Sequence, residues 1–156
     1  MCKIAIFPGS FDPFTIGHLS LVERGLLLVD EIIIAIGANT DKKTYFSLDE
    51  RVRMISELFK SNVKIKIRTY EGLTATFAEE VGARFILRGV RTINDFEYEK
   101  TVANVNRKIS GIETLVLFTE PEYSHISSTV VRELLIYKKS VQNFVPNGLN
   151  MNENKN

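Results

Sequence analysis

The fold is decided near the start of the chain, by residues 3–37, KIAIFPGSFDPFTIGHLSLVERGLLLVDEIIIAIG. Two short runs rich in β-branched residues, Lys3–Phe7 and Glu31–Gly37, flank a longer segment whose apolar residues recur every three to four positions. The second run is apolar at every position from 32 to 36, as expected for a strand that helices cover on both faces of a sheet. The order predicts a strand, a helix and a parallel strand joined by a right-handed crossover.

The same alternation continues along the rest of the chain. It predicts five strands, at Lys3–Phe7, Glu31–Gly37, Val63–Arg68, Arg84–Leu87 and Glu113–Phe118. It predicts five helices, over about 17–29, 47–60, 74–81, 92–109 and 128–138. Ser47 and Glu50 predict a capping box at the start of the second helix, and Gly82 predicts the end of the third. The predicted fold class is α/β, a single-domain Rossmann-like five-stranded parallel sheet with helices on both faces, a variant of the dinucleotide-binding fold.

The composition is globular and electrically balanced. The 156 residues are 44% hydrophobic and 25% charged, which fits one domain, and we place that domain at residues 1–146. Twenty Lys and Arg against nineteen Asp and Glu leave no overall field to attract nucleic acid or a membrane surface, so we expect neither partner. Residues 147–156 are rich in Asn, and we expect a flexible polar tail there.

Cysteine and histidine are scarce, and this limits the chemistry. Cys2 is the single cysteine, which excludes an intramolecular disulfide, and His18 and His125 are the two histidines, which excludes a multi-histidine zinc site. We therefore expect no protein-held metal. The apolar runs are too short for a secretion signal or a membrane span, so we expect a cytoplasmic protein.

The segments that follow the predicted strands carry the chemistry, because ligands of open parallel sheets bind at the carboxyl ends of the strands. These segments are 8–18, 38–43, 70–74, 88–91 and 119–129. They combine lysine and arginine with Gly, Ser or Thr at the starts of helices, and cations together with helix N-termini bind anions. We therefore expect a polyphosphate ligand.

The usual nucleotide motifs are absent from the sequence. There is no Gly-x-Gly-x-x-Gly, no Walker loop and no Gly-x-Ser-x-Gly nucleophile elbow. Thr15-x-Gly17-His18 offers another way to hold a phosphate, because Gly17 lets the backbone approach closely and His18 can donate to a phosphoryl oxygen in the transition state. Alone, a histidine at a helix start is more often a cap or a packed residue. The companion stretches PGSFDP at 8–13 and ISST at 126–129 favour the phosphate site.

With these motifs the sequence resembles the nucleotidylyltransferase superfamily, whose marks are a [HT]-x-G-H motif and a late Ile-Ser-Ser-Thr-like motif. Within it the chain is similar to the phosphopantetheine adenylyltransferase family of the short bacterial type. That likeness rests on RGVR at 88–91, DFEYE at 95–99, Lys42-Lys43 and NVNR at 104–107, and it runs from about residue 3 to 146. It implies transfer of AMP from ATP to 4′-phosphopantetheine, giving dephospho-coenzyme A and pyrophosphate.

The resemblance also implies a role for each matching residue. Catalytic roles fall on His18, Lys42 and Arg91. ATP contacts fall on Ser10, Phe11, His18, Gly89, Val90, Arg91, Glu99, Tyr123, Ser124, His125, Ile126, Ser127, Ser128 and Thr129. Contacts to the acceptor fall on Ser10, Lys42, Thr74 and Arg88. Ser10, Thr74 and His125 depart from the commonest residues of the family, which leaves the ligand contacts of the Thr74 and His125 side chains open. The resemblance further implies Mg²⁺ carried in with ATP, a homohexamer, and feedback inhibition by coenzyme A at the same cleft.

Several alternatives stay open at this point. A sister nucleotidylyltransferase acting on nicotinate mononucleotide or taking CTP shares the two phosphate motifs, and a nucleotide-sensing module would bind ATP without chemistry. Lys42 and Lys43 could be solvated charges, and residues 127–129 a plain helix cap. Glu97 and Glu99 could pair with Lys100 or Arg107. Phe96 and Tyr98 fit packing or a subunit interface better than base stacking.

Overall fold

The computed structural model of the protein describes residues 1–39 and 41–151. The strands are β1 (Ile4–Gly9), β2 (Glu31–Gly37), β3 (Ile65–Tyr70), β4 (Phe85–Val90) and β5 (Glu113–Phe118). The helices are α1 (Ile16–Gly25), α2 (Leu48–Leu58), α3 (Thr74–Glu80), α4 (Ile93–Ser110) and α5 (Ser128–Ile136), with a 3₁₀ turn at Pro121–Tyr123. All strand pairs are parallel, in the order β3-β2-β1-β4-β5, which confirms the predicted five-stranded sheet. The strand order reverses direction between β1 and β4, and this switch point is where such sheets bind ligands.

The central strands of the sheet are buried on both faces. Alternate residues of the central strands separate two apolar clusters: Phe7 and Ile34 lie in the larger one, and Ile6 and Ile33 in the smaller. Helix α4 packs less closely on the sheet than the other helices do, because Glu99 is the one of its 18 residues that is buried. The open space beside α4 becomes part of the site described below. No helix in the described ranges is both long and apolar enough to cross a membrane.

Two predicted element ends are wrong, and close packing explains both. Strand β4 continues beyond Leu87 to Val90, which pairs with Phe118, so Arg88 and Gly89 belong to a strand and not to a loop. A Cβ at Gly89 would collide with the side chain of Leu21 on α1, so the glycine is required by helix packing. Apart from the end of α1, the other strand and helix limits lie within two residues of the predictions.

Helix α1 stops at Gly25, not at 29. A Cβ at Gly25 would lie 2.8 Å from a methyl of Leu87, so the helix end is pressed against β4. The apolar run that follows forms a turn in which Leu27 is 84% exposed. Apolar periodicity alone therefore extended the predicted helix too far.

The structure contains the predicted capping box of α2 and the predicted end of α3. Ser47 and Glu50 form the reciprocal capping box at the start of α2, with distances of 2.7 and 3.2 Å. Gly82 follows α3 with φ +67°, the left-handed conformation that glycine adopts without strain. At the chain end, Leu149 is buried in the larger cluster, so packing continues past the predicted boundary at 146. The predicted flexible tail beyond residue 151 lies outside the described residues.

Candidate active site

Two cavities adjoin at the carboxyl ends of β1 and β4. One, of about 470 Å³, lies beside α4 and is lined by Tyr70, Thr74 and Asn106 among others; we call it the α4 cavity. The other, of about 440 Å³, extends toward the start of α5, with His18 and Ser128 in its lining; we call it the α5 cavity. The two cavities share a wall made by seven residues: Pro8, Gly9, Ser10, Lys42, Arg88, Tyr98 and Glu99. The site thus has room for two ligands that meet at one surface.

His18 lies in the first turn of α1 and is held in one orientation. Its Nδ1 accepts a hydrogen bond of 2.9 Å from the backbone N–H of Thr15, while the Thr15 hydroxyl accepts from the His18 backbone N–H at 3.3 Å. Because Nδ1 is an acceptor, the ring proton of the neutral imidazole is on Nε2. His18 therefore presents an N–H donor to the α5 cavity.

The surroundings of His18 keep the ring neutral. Its centroid lies 5.1 Å from that of Phe11, 5.3 Å from that of Phe14 and 6.0 Å from that of Phe7. Burial in this apolar setting lowers the pKa of His18 to about 4, with further lowering by the positive charges of Arg91 and Arg88. At neutral pH the residue can donate a hydrogen bond, but it carries no charge.

Arg88 projects from β4 into the shared wall and is anchored by Glu99 of α4. The two side chains form a bidentate pair with distances of 2.8 and 2.6 Å, and a third guanidinium nitrogen donates to the carbonyl of Pro8 at 2.9 Å. Glu99 is buried, so this pair fixes the direction of the guanidinium. The alternative in which Glu99 pairs with Lys100 or Arg107 does not hold, since Glu99 pairs with Arg88 and Arg107 pairs with Glu113.

The start of α5 is bound to the loop after β1. Ser127 is the N-cap and its hydroxyl accepts from the Val130 N–H, while the Ser128 hydroxyl donates to the Pro13 carbonyl at 2.8 Å. The Ser127 hydroxyl thus caps the helix, as the helix-cap alternative for 127–129 anticipated, whereas the Ser128 hydroxyl ties the helix start to the loop after β1. The N–H groups of Ser128 and Thr129 have no intrahelical acceptor, and they lie at the positive end of the helix dipole, which attracts anions.

Two further cations flank that helix start. Arg91 donates to the Ile126 carbonyl at 3.3 Å and lies 3.5 Å from the carboxylate of Asp95. Arg132, which the sequence analysis missed, lines the α5 cavity and donates to the Asp12 carbonyl and to the Thr129 hydroxyl. Its position three residues after Thr129, one turn along the same helix face, is the signal that could have revealed it.

The residues predicted to contact the acceptor line the α4 cavity or form part of the shared wall. Ser10, Lys42 and Arg88 belong to the wall, and Thr74 lines the α4 cavity alone. Lys42 is exposed, and among the described residues its ammonium group has no ion pair. The Thr74 hydroxyl lies 3.0 Å from the hydroxyl of Tyr70, so it already has a partner within the protein.

The structure brings together most of the residues that were assigned to ATP. The α5 cavity is lined by Ser10, Phe11, His18, Gly89, Arg91, Glu99, Ile126, Ser127, Ser128 and Thr129. Four others line neither of the two cavities: Val90, Tyr123, Ser124 and His125. Val90 is buried and lines a separate apolar depression with Ile93, Phe96 and Phe118. His125 is exposed, with its ring 6.2 Å from that of Phe144.

The described residues contain no group of three His, Cys, Asp or Glu side chains that could hold a metal ion. The two carboxylates that line the α5 cavity, Asp95 and Glu99, are already paired with Arg91 and Arg88. A divalent cation in this cavity would have to take its oxygen ligands from a bound phosphate and from water, which is the usual coordination of Mg²⁺ with nucleotides.

Comparison with known proteins shows the family of the chain. A family model described as cytidylyltransferase-like matches residues 6–134, which places the protein in the nucleotidyltransferase class of enzymes. The phosphopantetheine adenylyltransferase of Bacteroides thetaiotaomicron is 57% identical over 95% of this chain and 98% of its own length. Those of Flavobacterium johnsoniae and Porphyromonas gingivalis are 51% and 47% identical, over 93% and 94% of this chain and 95% of each relative. The chain belongs to the phosphopantetheine adenylyltransferase family.

Proposed function

We propose that the protein transfers AMP from ATP to 4′-phosphopantetheine, forming dephospho-coenzyme A and pyrophosphate. The observation that carries the proposal is the shared wall: Ser10, Lys42 and Arg88 face both cavities, so two ligands bound there bring their phosphates to one place. The names of the relatives support this choice of acceptor. In the proposed arrangement ATP occupies the α5 cavity and the acceptor occupies the α4 cavity.

The reaction needs positioning more than acid–base catalysis. The second pKa of a phosphate monoester is about 6, so the acceptor is largely a dianion at neutral pH and needs no general base. One acceptor oxygen attacks the α-phosphorus of ATP, the bond from that phosphorus to the bridging oxygen breaks, and pyrophosphate leaves with the electron pair. Holding two anions in line can lower the barrier by about 7–11 kcal/mol in favourable cases.

Different side chains bind the acceptor phosphate, the α-phosphoryl group and the leaving pyrophosphate. Lys42 and Arg88 hold the acceptor phosphate at the shared wall, and Glu99 keeps Arg88 in place. The Nε2–H of His18 donates to an oxygen of the α-phosphoryl group, where charge grows in the transition state. Arg91, Arg132 and the first turn of α5 bind the phosphates that leave. Mg²⁺ carried in with ATP as part of the substrate would neutralise phosphate charge.

We extend the proposal to the regulation of the enzyme and to its oligomeric state. Coenzyme A carries the product's pantetheine arm and adenylate, so we propose that it inhibits by occupying the same two cavities. We also propose a homohexamer. In support, Ile93, Phe96 and Phe118 are exposed apolar side chains around one depression of about 470 Å³ at the edge formed by β4, β5 and α4, and such patches are typical of interfaces.

The decisive experiment measures pyrophosphate release from MgATP with 4′-phosphopantetheine and identifies dephospho-coenzyme A by mass spectrometry. Nicotinate mononucleotide as acceptor, and CTP as nucleotide, are assayed in parallel. Product with phosphopantetheine alone is the expected result. Product with another acceptor or nucleotide alone would reject the substrate assignment, and ATP binding without any product would favour the sensing module.

Lys42 and Lys43 provide a matched pair for the acceptor site. Lys42 lies in the shared wall, whereas Lys43, its exposed neighbour, lines neither cavity. Lys42→Ala should raise the KM for phosphopantetheine at least tenfold and leave the Kd for ATP within about twofold, because charge-assisted hydrogen bonds contribute about 1.5–3 kcal/mol. Lys43→Ala should match the wild type. Equal losses in the two variants would contradict the placement of the acceptor phosphate.

A further inference from the structure

A buried arginine behind the shared wall contacts neither cavity, yet it joins the segments that form the site. Arg51 of α2 is 4% exposed, and its guanidinium donates to three backbone carbonyls: one at the N-cap of its own helix, one in the loop after β1 and one at the end of β2. The distances are 2.6 Å to Ser10, 3.3 Å to Ser47 and 3.5 Å to Gly37. A planar guanidinium can donate in several directions at once, which a lysine ammonium on its flexible stem cannot reproduce.

The shortest of these hydrogen bonds fixes a peptide of the cleft. Because the Ser10–Phe11 peptide is trans and planar, its N–H points opposite to the carbonyl that Arg51 holds. The backbone of Phe11 has φ +48°, a conformation that residues other than glycine rarely adopt and that needs support from its surroundings. Ser10 and Phe11 both line the α5 cavity, and within the described ranges the Phe11 N–H has no hydrogen-bond acceptor.

The same turn touches the histidine. The Phe11 ring lies against Gly9, where a Cβ would come within 3.0 Å of it, and its edge meets the His18 ring at a centroid distance of 5.1 Å. A change in the orientation of the Ser10–Phe11 peptide would therefore move both a backbone donor and a neighbour of the His18 ring.

We propose that Arg51 is a positioning residue for the transfer reaction: it holds the Ser10–Phe11 peptide so that the Phe11 N–H donates to a phosphate oxygen of ATP and the Phe11 ring supports His18. The inference rests on the proposed function for its ligand. Arg51 itself touches no substrate and acts through the turn.

Kinetics of Arg51→Lys, with Arg53→Lys as control, test the effect on turnover. Arg53 lies on the same helix, is partly exposed and pairs with Glu57, so its replacement controls for a lysine in α2. Arg51→Lys should lower kcat at least tenfold while raising the KM for ATP less than fivefold, and Arg53→Lys should change neither. An Arg51→Lys enzyme that keeps its kcat while only its Tm falls would overturn the proposal.

Nuclear magnetic resonance tests the same idea without turnover. The protein has two histidines, and exposed His125 is an internal reference for His18. In Arg51→Lys the ring ¹⁵N signals of His18 should move while those of His125 stay. In the wild type, a non-hydrolysable α,β-methylene analogue of MgATP should move the Phe11 amide signal downfield and slow its exchange with solvent.

The wild-type titration remains decisive if Arg51→Lys does not fold. An unmoved Phe11 amide at saturating analogue would reject the proposal, as would unmoved His18 signals in a folded variant. A wild-type enzyme that converts no tested acceptor would reject the proposed function. In that case the His18 ring signals of nucleotide-free Arg51→Lys would still show whether Arg51 supports the histidine.

Discussion

At the scale of single residues, one pair of hydrogen bonds begins a helix and sets the chemistry. Thr15 caps α1 through the His18 backbone, and the His18 ring accepts the Thr15 N–H in return. In most capping boxes a glutamate or glutamine side chain makes the return bond. Because an imidazole makes it here, the helix start fixes the tautomer and leaves Nε2–H to face the α5 cavity.

Replacing His18 tests this role together with its charge state. His18→Ala should lower kcat by about 10²–10³-fold, as loss of one transition-state donor does, and leave the Kd for ATP within a few fold. His125→Ala, at the exposed histidine, should have no such effect. Because the pKa of His18 is about 4, lowering the pH protonates the acceptor phosphate, with a pKa of about 6, before it protonates the ring.

The acid side of the pH–rate profile should therefore have its midpoint near pH 6 in the wild type and in His18→Ala alike. Stopped assays between pH 5 and 9 would measure it. Disappearance of that midpoint in His18→Ala would show that the histidine, and not the substrate, titrates in this range.

Glu99 offers a second test at this scale. Glu99→Gln removes the negative partner of Arg88 but keeps the shape of the side chain. The KM for phosphopantetheine should rise about tenfold, and the free energy of unfolding should fall by about 1–3 kcal/mol, because a partly buried guanidinium loses its carboxylate. Glu97→Gln, at an exposed position two residues away, is the control for steady-state kinetics and denaturant unfolding. A normal KM in a destabilised Glu99→Gln protein would give Glu99 a purely structural role.

At the scale of elements, Gly89 couples β4 to the helix that carries His18. Gly89→Ala should lower the free energy of unfolding by about 1–3 kcal/mol, because its methyl would overlap Leu21 of α1. In a Leu21→Ala background the same substitution should cost at least 1 kcal/mol less, since the space is then free. A double-mutant cycle from urea unfolding measures this coupling. Additive losses would show that the two side chains do not compete for one space.

The elements also show what the sequence could reveal. Local patterns predicted all five strands, the capping box at Ser47 and the stop at Gly82, because each depends on residues a few positions apart. The end of β4 was misjudged because Arg-Gly is typical of loops, and the missing Cβ is explained only by Leu21, 68 residues earlier in the chain. Helix α1 was overextended because an apolar run gives no sign that Gly25 is pressed against Leu87.

The residues of the candidate site also differ in whether local sequence patterns mark them. The sequence placed His18, Lys42 and Arg88 at the cleft, since they follow strands or begin a helix. It did not pair Arg88 with Glu99, and it missed Arg51 and Arg132. The contact of Arg51 with Ser10 spans 41 residues and that of Arg132 with Asp12 spans 120, so local spacing does not reveal either contact. The place of Arg132 one turn after Thr129 is the one local signal. Only the folded chain shows which backbone carbonyls these arginines hold.

At the scale of the whole molecule, the exposed apolar edge should control assembly. Phe118 is 68% exposed beside Ile93, whereas Leu27 is 84% exposed at the opposite end of the sheet from the site, in the turn before β2. Phe118→Glu should convert the proposed hexamer to smaller species, and Leu27→Glu should leave it intact. Light scattering coupled to size-exclusion chromatography measures both masses. A hexamer that survives Phe118→Glu would place the interface elsewhere.

A wall common to two binding sites also limits how the enzyme can diversify. A substitution at Ser10, Lys42 or Arg88 that suits a new acceptor also changes the surface on which the two ligands must meet, so a gain in acceptor binding there can lower turnover. The distant lining of the α4 cavity, with Thr74 and Asn106, is free of that conflict. Selection for a new acceptor should therefore accumulate changes at that far end first, and leave the common surface until last.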